Sequence, residues 1–437
     1  MSRLARAELR ARRARRLIVG IGAAVLIVML VAAAVAWPRL PGRAPAADIA
    51  LPSSVFVDEP AAADDAIWIG MNEAMAADDR AAFLAHAEGP ARRALARWWD
   101  NTKRIGWDLA AITPKWVADD GTAATLVLGA ELPFAPAHAR GSGHPDSGLR
   151  QVQGAYYSAQ LTGTGVDRRI TSLTASRSPQ VWDDGKLHVR RAKHAVVFGR
   201  ADESALVDVV LPDAERAARR ALSLVRELGG SAPIDGFVVA VTDDERRLAH
   251  WQFGDGERWA MTVSAFARPM VPPDTHQPWL DPRIAVGTPR SSGTVIVLGP
   301  RSADNREQNL VHEFAHAMLN AAHPDLRASP PAAVTEGFAR YAEWHGGLAT
   351  ATYTDPEVRS SVAEHGAEAF STERLRGERS WIAYAAAGSY CAFVADSGGD
   401  VWQTAVQARA EPDGLIGFAH KNPKFSLDAW QAWMERQ

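Results

Sequence analysis

Two histidines four residues apart inside an apolar helical repeat constrain this chain more than any other feature. Between Asn309 and Trp344 stand His312-Glu313-Phe314-Ala315-His316 and, after a break, Thr335-Glu336-Gly337-Phe338-Ala339-Arg340-Tyr341-Ala342-Glu343-Trp344. Leu310, Val311, Phe314, Ala315, Met318 and Leu319 recur at intervals of three and four, which predicts a helix with a buried stripe. On that helix His312 and His316 lie one turn apart, so both imidazoles can reach one metal ion. Glu313, one step round, sits beside the metal, where a carboxylate takes a proton from water activated there.

A catalytic zinc usually takes three protein ligands and leaves one position for water. His323 is one candidate for the third. It follows His316 by seven residues with no intervening Gly, whereas the metzincin pattern needs a spacing of six and a Gly turn, so it is set aside. Glu336 is the other candidate, with 19 residues between it and His316. His323-Pro324-Asp325 and Ser329-Pro330-Pro331 punctuate a loop, so a second helix starts near Ala332 and brings Glu336 back past the first.

With these residues the chain resembles the gluzincin metallopeptidases, the group that includes thermolysin and the aminopeptidase N family. Glu336 to Tyr341 is similar to the Glu-Gly-Phe-Ala run of the aminopeptidase N side, and the 19-residue gap resembles thermolysin. The resemblance implies that His312, His316 and Glu336 bind zinc (Zn2+) and that Glu313 is the general base. It also implies an oxyanion donor on a later helix, for which Tyr384, four residues before Gly388, is the first choice and Tyr390 the second. Glu343, seven residues after Glu336, shares its helix face and is either an acceptor that orients a ligand histidine or a solvated carboxylate. In gluzincin-like folds a strand upstream of the metal helix edges the cleft; Gly293 to Gly299 is the candidate, Arg283 to Gly287 its rival, and an interior strand the alternative for either. The Gly-x-Met-x-Asn run that holds a substrate's free amine in aminopeptidase N relatives is absent. Endopeptidase action on a peptide or protein substrate is therefore expected over aminopeptidase action. The competing reading is a non-catalytic, zinc-containing surface protein that acts as a binding module.

Charge and hydropathy set the context. Residues 1–16 carry seven Arg against one Glu, and an uninterrupted apolar run extends from Leu17 to Trp37. Twenty-one residues at about 1.5 Å each span a bilayer core of about 30 Å, and the arginines favour a cytoplasmic N-terminus. The run exceeds the usual signal-peptide core of about 7–15 residues, so a single-pass membrane anchor is expected over cleavage after Ala34-Val35-Ala36. Removing the basic block from the formal net charge of −3 leaves about −9 on the remainder, which argues against nucleic acid as a partner. The single cysteine, Cys391, excludes an intramolecular disulfide and a multi-Cys metal site.

The expected fold class is α+β: a basic tail (1–16), a transmembrane helix (17–37), a Pro-rich linker (38–52), a small α+β cone (53–190) and a metallopeptidase domain (191–437). In the cone, two helical segments precede strands at Trp107 to Ile112, Ala123 to Leu132, Gln151 to Leu161 and Ile170 to Thr174. That order resembles the nuclear transport factor 2-like cones. In the last domain, strands at Ala195 to Phe198 and Phe237 to Val241 flank a helix over Asp213 to Leu228, and a mainly helical part with a helix over Trp381 to Val394 follows.

Overall fold

The computed structural model of the chain describes residues 66–437, apart from 107–109, 132, 135–149, 177–178, 254–263, 270–289, 323–330, 350–352 and 378. The basic tail, the apolar run 17–37, the linker, Arg283 to Gly287 and His323 lie outside the described residues.

Helices α1 (Ala66–Ala76), α2 (Arg80–Ala85) and α3 (Gly89–Ile105) come first. Pro90 starts α3 instead of breaking a longer helix, because a proline in the first turn gives up no helical hydrogen bond. Strands β1 (Ala110–Val117), β2 (Ala123–Glu131), β3 (Arg150–Thr162) and β4 (Arg169–Ala175) form an antiparallel meander.

The second sheet is built differently. It contains β5 (Leu187–Arg191), β6 (Ala195–Arg200), β7 (Phe237–Val241), β8 (Ala265–Pro269) and β10 (Thr294–Leu298), in the order β5-β6-β7-β10-β8. Helix α4 (Ser204–Glu227) crosses from β6 to β7, which pair in parallel, and β10 pairs parallel with β7. The short β9 (Arg290–Ser292), just before β10, leaves this sheet and pairs parallel with β3 of the first.

Alternation along the strands explains how the two sheets join. Ala195, Val197, Val239 and Ile296 face a core shared with α4 and the later helices. Val196, Phe198, Val238, Ala240, Val295 and Val297 face a second core with Phe83, Trp98, Leu126, Tyr157 and Trp182. A sheet buried on both faces needs near-continuous apolar strands, and β7 and β10 are buried at every position.

Two expectations are corrected here. The second sheet is a mixed α/β arrangement with a β6-α4-β7 crossover, because covering both of its faces favours parallel pairing through a helix. No helix among the described residues is long and apolar enough to cross a membrane.

After α5 (Glu245–Phe253) and the strands come the helices that share the first core with α4. These are α6 (Arg306–Ala322), α7 (Ala332–His345), α8 (Pro356–His365), α9 (Thr372–Leu375), α10 (Ser380–Asp396), α11 (Val401–Arg409), α12 (Leu415–Lys421) and α13 (Leu427–Glu435). Helix α6 packs between α4 and α7, and α7 packs on α10.

Candidate metal centre

Helix α6 presents its histidines because its opposite face is anchored. Leu310, Val311, Phe314, Ala315, Met318 and Leu319 are all fully buried, and Phe314 stacks on Phe237 of β7 with 3.9 Å between ring centroids. Each large apolar side chain so buried contributes about 1.5–3 kcal/mol, which fixes the rotation of α6 about its axis. His312 and His316 then leave the other face as neighbours, ring centroids 4.8 Å apart and planes at 79°.

Helix α7 delivers Glu336. Its approach to α10 requires Gly337, since a Cβ there would stand 2.9 Å from the Ala387 carbonyl oxygen. Glu336 Oε2 lies 3.1 Å from His312 Nε2 and 3.5 Å from His316 Nε2. The three ligand atoms are within 4.8 Å of one another. Ligands bound tetrahedrally to one zinc at about 2.0–2.1 Å stand roughly 3.3 Å apart, so two imidazole nitrogens and one carboxylate oxygen at these separations fit a zinc ion.

Charge reinforces the fit. Burial pushes the Glu336 carboxyl up, but the charge of His316 and hydrogen bonds from both histidines hold it well below the usual carboxylate range. For His312, burial lowers the ring, and hydrogen bonds to Glu336 and Glu343 with their charges raise it well above the ordinary value. Carboxylates that favour a proton on that ring equally favour a divalent cation beside it.

Glu343 is buried and takes the other ring nitrogen of His312, Nδ1 to Oε1 at 2.6 Å. Its Oε2 accepts from Gln308 Nε2 at 2.5 Å and from Arg340 Nη1 at 2.6 Å. Of the two readings its spacing allowed, Glu343 is the orienting acceptor. A carboxylate on Nδ1 leaves Nε2 to face the metal and fixes the ring plane.

Glu313 is buried beside the pair. Burial raises its carboxyl, His316 and His312 oppose the shift, Glu336 adds to it, and the Ala267 backbone N–H lowers it. That donor places β8 beside Glu313. Among the described residues β8 is the outer strand of the second sheet, beyond β10, so Gly293 to Gly299 contains an interior strand. The backbone bond from Gly299 N to Ser264 O, at 2.9 Å, sets the alternation that turns the polar groups of Ala265 and Ala267 away from β10.

Tyr384 stands half-buried on α10. Its phenol is pushed up to about 12 by burial and by the charges of Glu336 and Glu313, with Arg340 opposing. It is therefore a protonated donor at neutral pH, near enough to Glu336 and Glu313 to feel their charge. Tyr390 is fully buried and donates to the Phe425 carbonyl at 2.6 Å, a structural role.

Arg340, Gln308 and Ala267 are the contributors that sequence reading passed over. Helical spacing held a signal for two of them: Gln308 lies one turn before His312, and Arg340 one turn after Glu336. No family model matches the chain, and no curated protein matches its sequence significantly.

Proposed function

We propose that this chain is a zinc-dependent metallopeptidase of the gluzincin type that cleaves within polypeptides. The observation that carries the reading is the single Glu336 oxygen lying 3.1 and 3.5 Å from the Nε2 atoms of His312 and His316. A zinc ion held there would polarise the scissile carbonyl and lower the pKa of its water to about 7. Glu313 takes the proton of the attacking water and passes it to the leaving amine, a double role that suits a carboxyl raised by burial. Tyr384 donates to the developing oxyanion.

An extended substrate pairs with the outer edge of β8, which runs past Glu313. Gly287-Thr288-Pro289-Arg290 and Ser291-Ser292-Gly293, upstream of α6, supply no Met or Asn for a Gly-x-Met-x-Asn run. That favours cleavage inside a chain over removal of its first residue.

Zinc content and peptide cleavage, measured on the chain and on Glu313→Gln, test the proposal. The expected result is about one zinc per chain in both proteins, and hydrolysis lower by about 10²–10⁴-fold in the variant. Undiminished hydrolysis in Glu313→Gln would remove that residue from the mechanism. Absence of zinc after refilling at neutral pH sinks the whole reading, and zinc without cleavage of any peptide leaves a non-catalytic binding module.

A further inference from the structure

We propose that Arg340 is a positioning residue that braces two sides of this centre at once: His312 through Glu343, and the Tyr384 hydroxyl across the packing of α7 on α10. The inference rests on the metallopeptidase reading and adds a residue to its machinery.

Three carboxylates, Glu313, Glu336 and Glu343, converge on the histidine pair. Arg340, one turn beyond Glu336 on the same helix, is a cation that pairs with Glu343. Its Nη1 donates to Glu343 Oε2 at 2.6 Å, while Glu343 Oε1 holds His312 Nδ1. The stem of Arg340 also reaches the helix that carries Tyr384. A Cβ on Gly388, one turn after Tyr384, would stand 3.2 Å from Arg340 Cβ and 2.9 Å from the Trp344 ring. Gly337 and Gly388 thus let α7 and α10 approach closely, with the Arg340 stem packed one turn after Tyr384. Its charge opposes the effect of Glu336 and Glu313 on the Tyr384 phenol.

A simple ion pair with Glu343 would use one arm of the guanidinium. Here Nε is also buried and lacks a hydrogen-bond partner among the described residues. The planar fork presents that second donor in a fixed direction, which a lysine does not reproduce. On this proposal Arg340 acts on the ground state through His312 and on the transition state through Tyr384.

The test uses the full chain with Arg340→Met, Arg340→Lys, Glu343→Gln and the Arg340→Met/Glu343→Gln double variant. Zinc affinity is read by chelator competition, and kcat and KM are read at saturating zinc. Arg340→Met is expected to weaken zinc about 10-fold, in the range for partners of ligand histidines, and to lower kcat about 10-fold with KM unchanged. In the double variant zinc affinity falls little below that of Glu343→Gln alone, because both act through His312, while the loss in kcat persists. Arg340→Lys, which keeps the charge and the fold, recovers zinc affinity more than kcat.

Zinc affinity and kcat within twofold of the unmutated chain in Arg340→Met would overturn the proposal. So would an affinity loss that adds in full to that of Glu343→Gln. Should Arg340→Met fail to fold, unchanged kcat in the folded Arg340→Lys overturns the Tyr384 side. A failed metallopeptidase reading is distinguishable, since it shows already in the unmutated chain as missing zinc or missing cleavage.

Discussion

Two buried glutamates in this molecule each hold an arginine, and their carboxyls are shifted in opposite directions. Glu343 sits under the candidate metal centre on α7, and Glu203 sits where β6 turns into α4. Both oxygens of Glu343 are used, Oε1 by His312 and Oε2 by Gln308 and Arg340. Glu203 receives everything on one oxygen: Oε1 accepts from Thr242 at 2.7 Å, from the Asp243 backbone at 3.1 Å and from Arg247 at 2.6 Å. Its Oε2 is buried with no partner among the described residues. Burial dominates for Glu203 and raises its carboxyl above the ordinary value. At Glu343 burial pushes the same way, but the hydrogen bond and charge of His312, the charge of Arg340 and the Gln308 donor outweigh it. Burial alone does not decide the charge of a carboxylate; satisfaction of both oxygens beside more than one cation does. Arg247 divides itself further, with Asp184 at 3.3 Å, so Glu203 belongs to a network that fastens strand ends. Glu343 belongs to one that points a histidine.

The sharpest separation is expected from Glu203→Ala. Removing one member of a buried ion pair costs about 3–5 kcal/mol, and Arg247 and Thr242 would lose their acceptor. Chemical denaturation should show that loss while zinc affinity stays unchanged. A change in zinc affinity of tenfold or more would break the comparison, since it would couple the sheet network to the centre.

Glu343→Gln comes next in size. Loss of a carboxylate partner on a ligand histidine typically costs about 10–100-fold in metal affinity, read by chelator competition, together with a fall in stability as Arg340 loses its ion-pair partner. Unchanged affinity with a large fall in stability would make Glu343 a second Glu203.

What the sequence made legible follows the same division. His312, His316, Glu336 and Glu343 sit on two helices, where spacing fixes the face, so their meeting is visible as intervals of four and seven. Helix α6 and its buried stripe were readable for that reason. Edge and interior strands differ only in long-range pairing, which spacing does not encode. For Gly293 to Gly299 the sequence left a cleft edge and an interior strand both open, and its strand, Thr294 to Leu298, lies inside the sheet. Its unbroken Thr-Val-Ile-Val-Leu run was the available signal, because a strand buried on both faces does not alternate. The outer strand among the described residues, Ala265 to Pro269, is short and carries no pattern. The pairing of β9 with β3 joins residues some 140 positions apart in the chain, beyond any local signal. Helix α4 starts at Ser204, nine residues before the expected Asp213, because buried Val207 and Val210 hold its first turns in spite of Pro212.

A matched pair of small deletions tests the contrast most finely. Thr242→Val and Gln308→Met each remove one neutral donor, the first from Glu203 and the second from Glu343. A neutral hydrogen bond contributes about 0.5–1.5 kcal/mol net. For Thr242→Val the loss should appear in folding, and it has a pH signature. With its carboxyl raised, the folded state binds more protons than the unfolded state between the ordinary and the raised value, so stability falls as pH rises through that window. Losing the Thr242 hydroxyl raises the Glu203 carboxyl further and extends the falling segment to higher pH, which denaturation curves across mildly acidic pH would show. For Gln308→Met the same energy should appear as a weakening of zinc by about fivefold, with no change in the pH dependence of folding near neutrality. If both variants instead lowered stability alike and left zinc untouched, the satisfied carboxylate under His312 would be packing and nothing more, and the distinction between the two glutamates would rest on their pKa shifts alone.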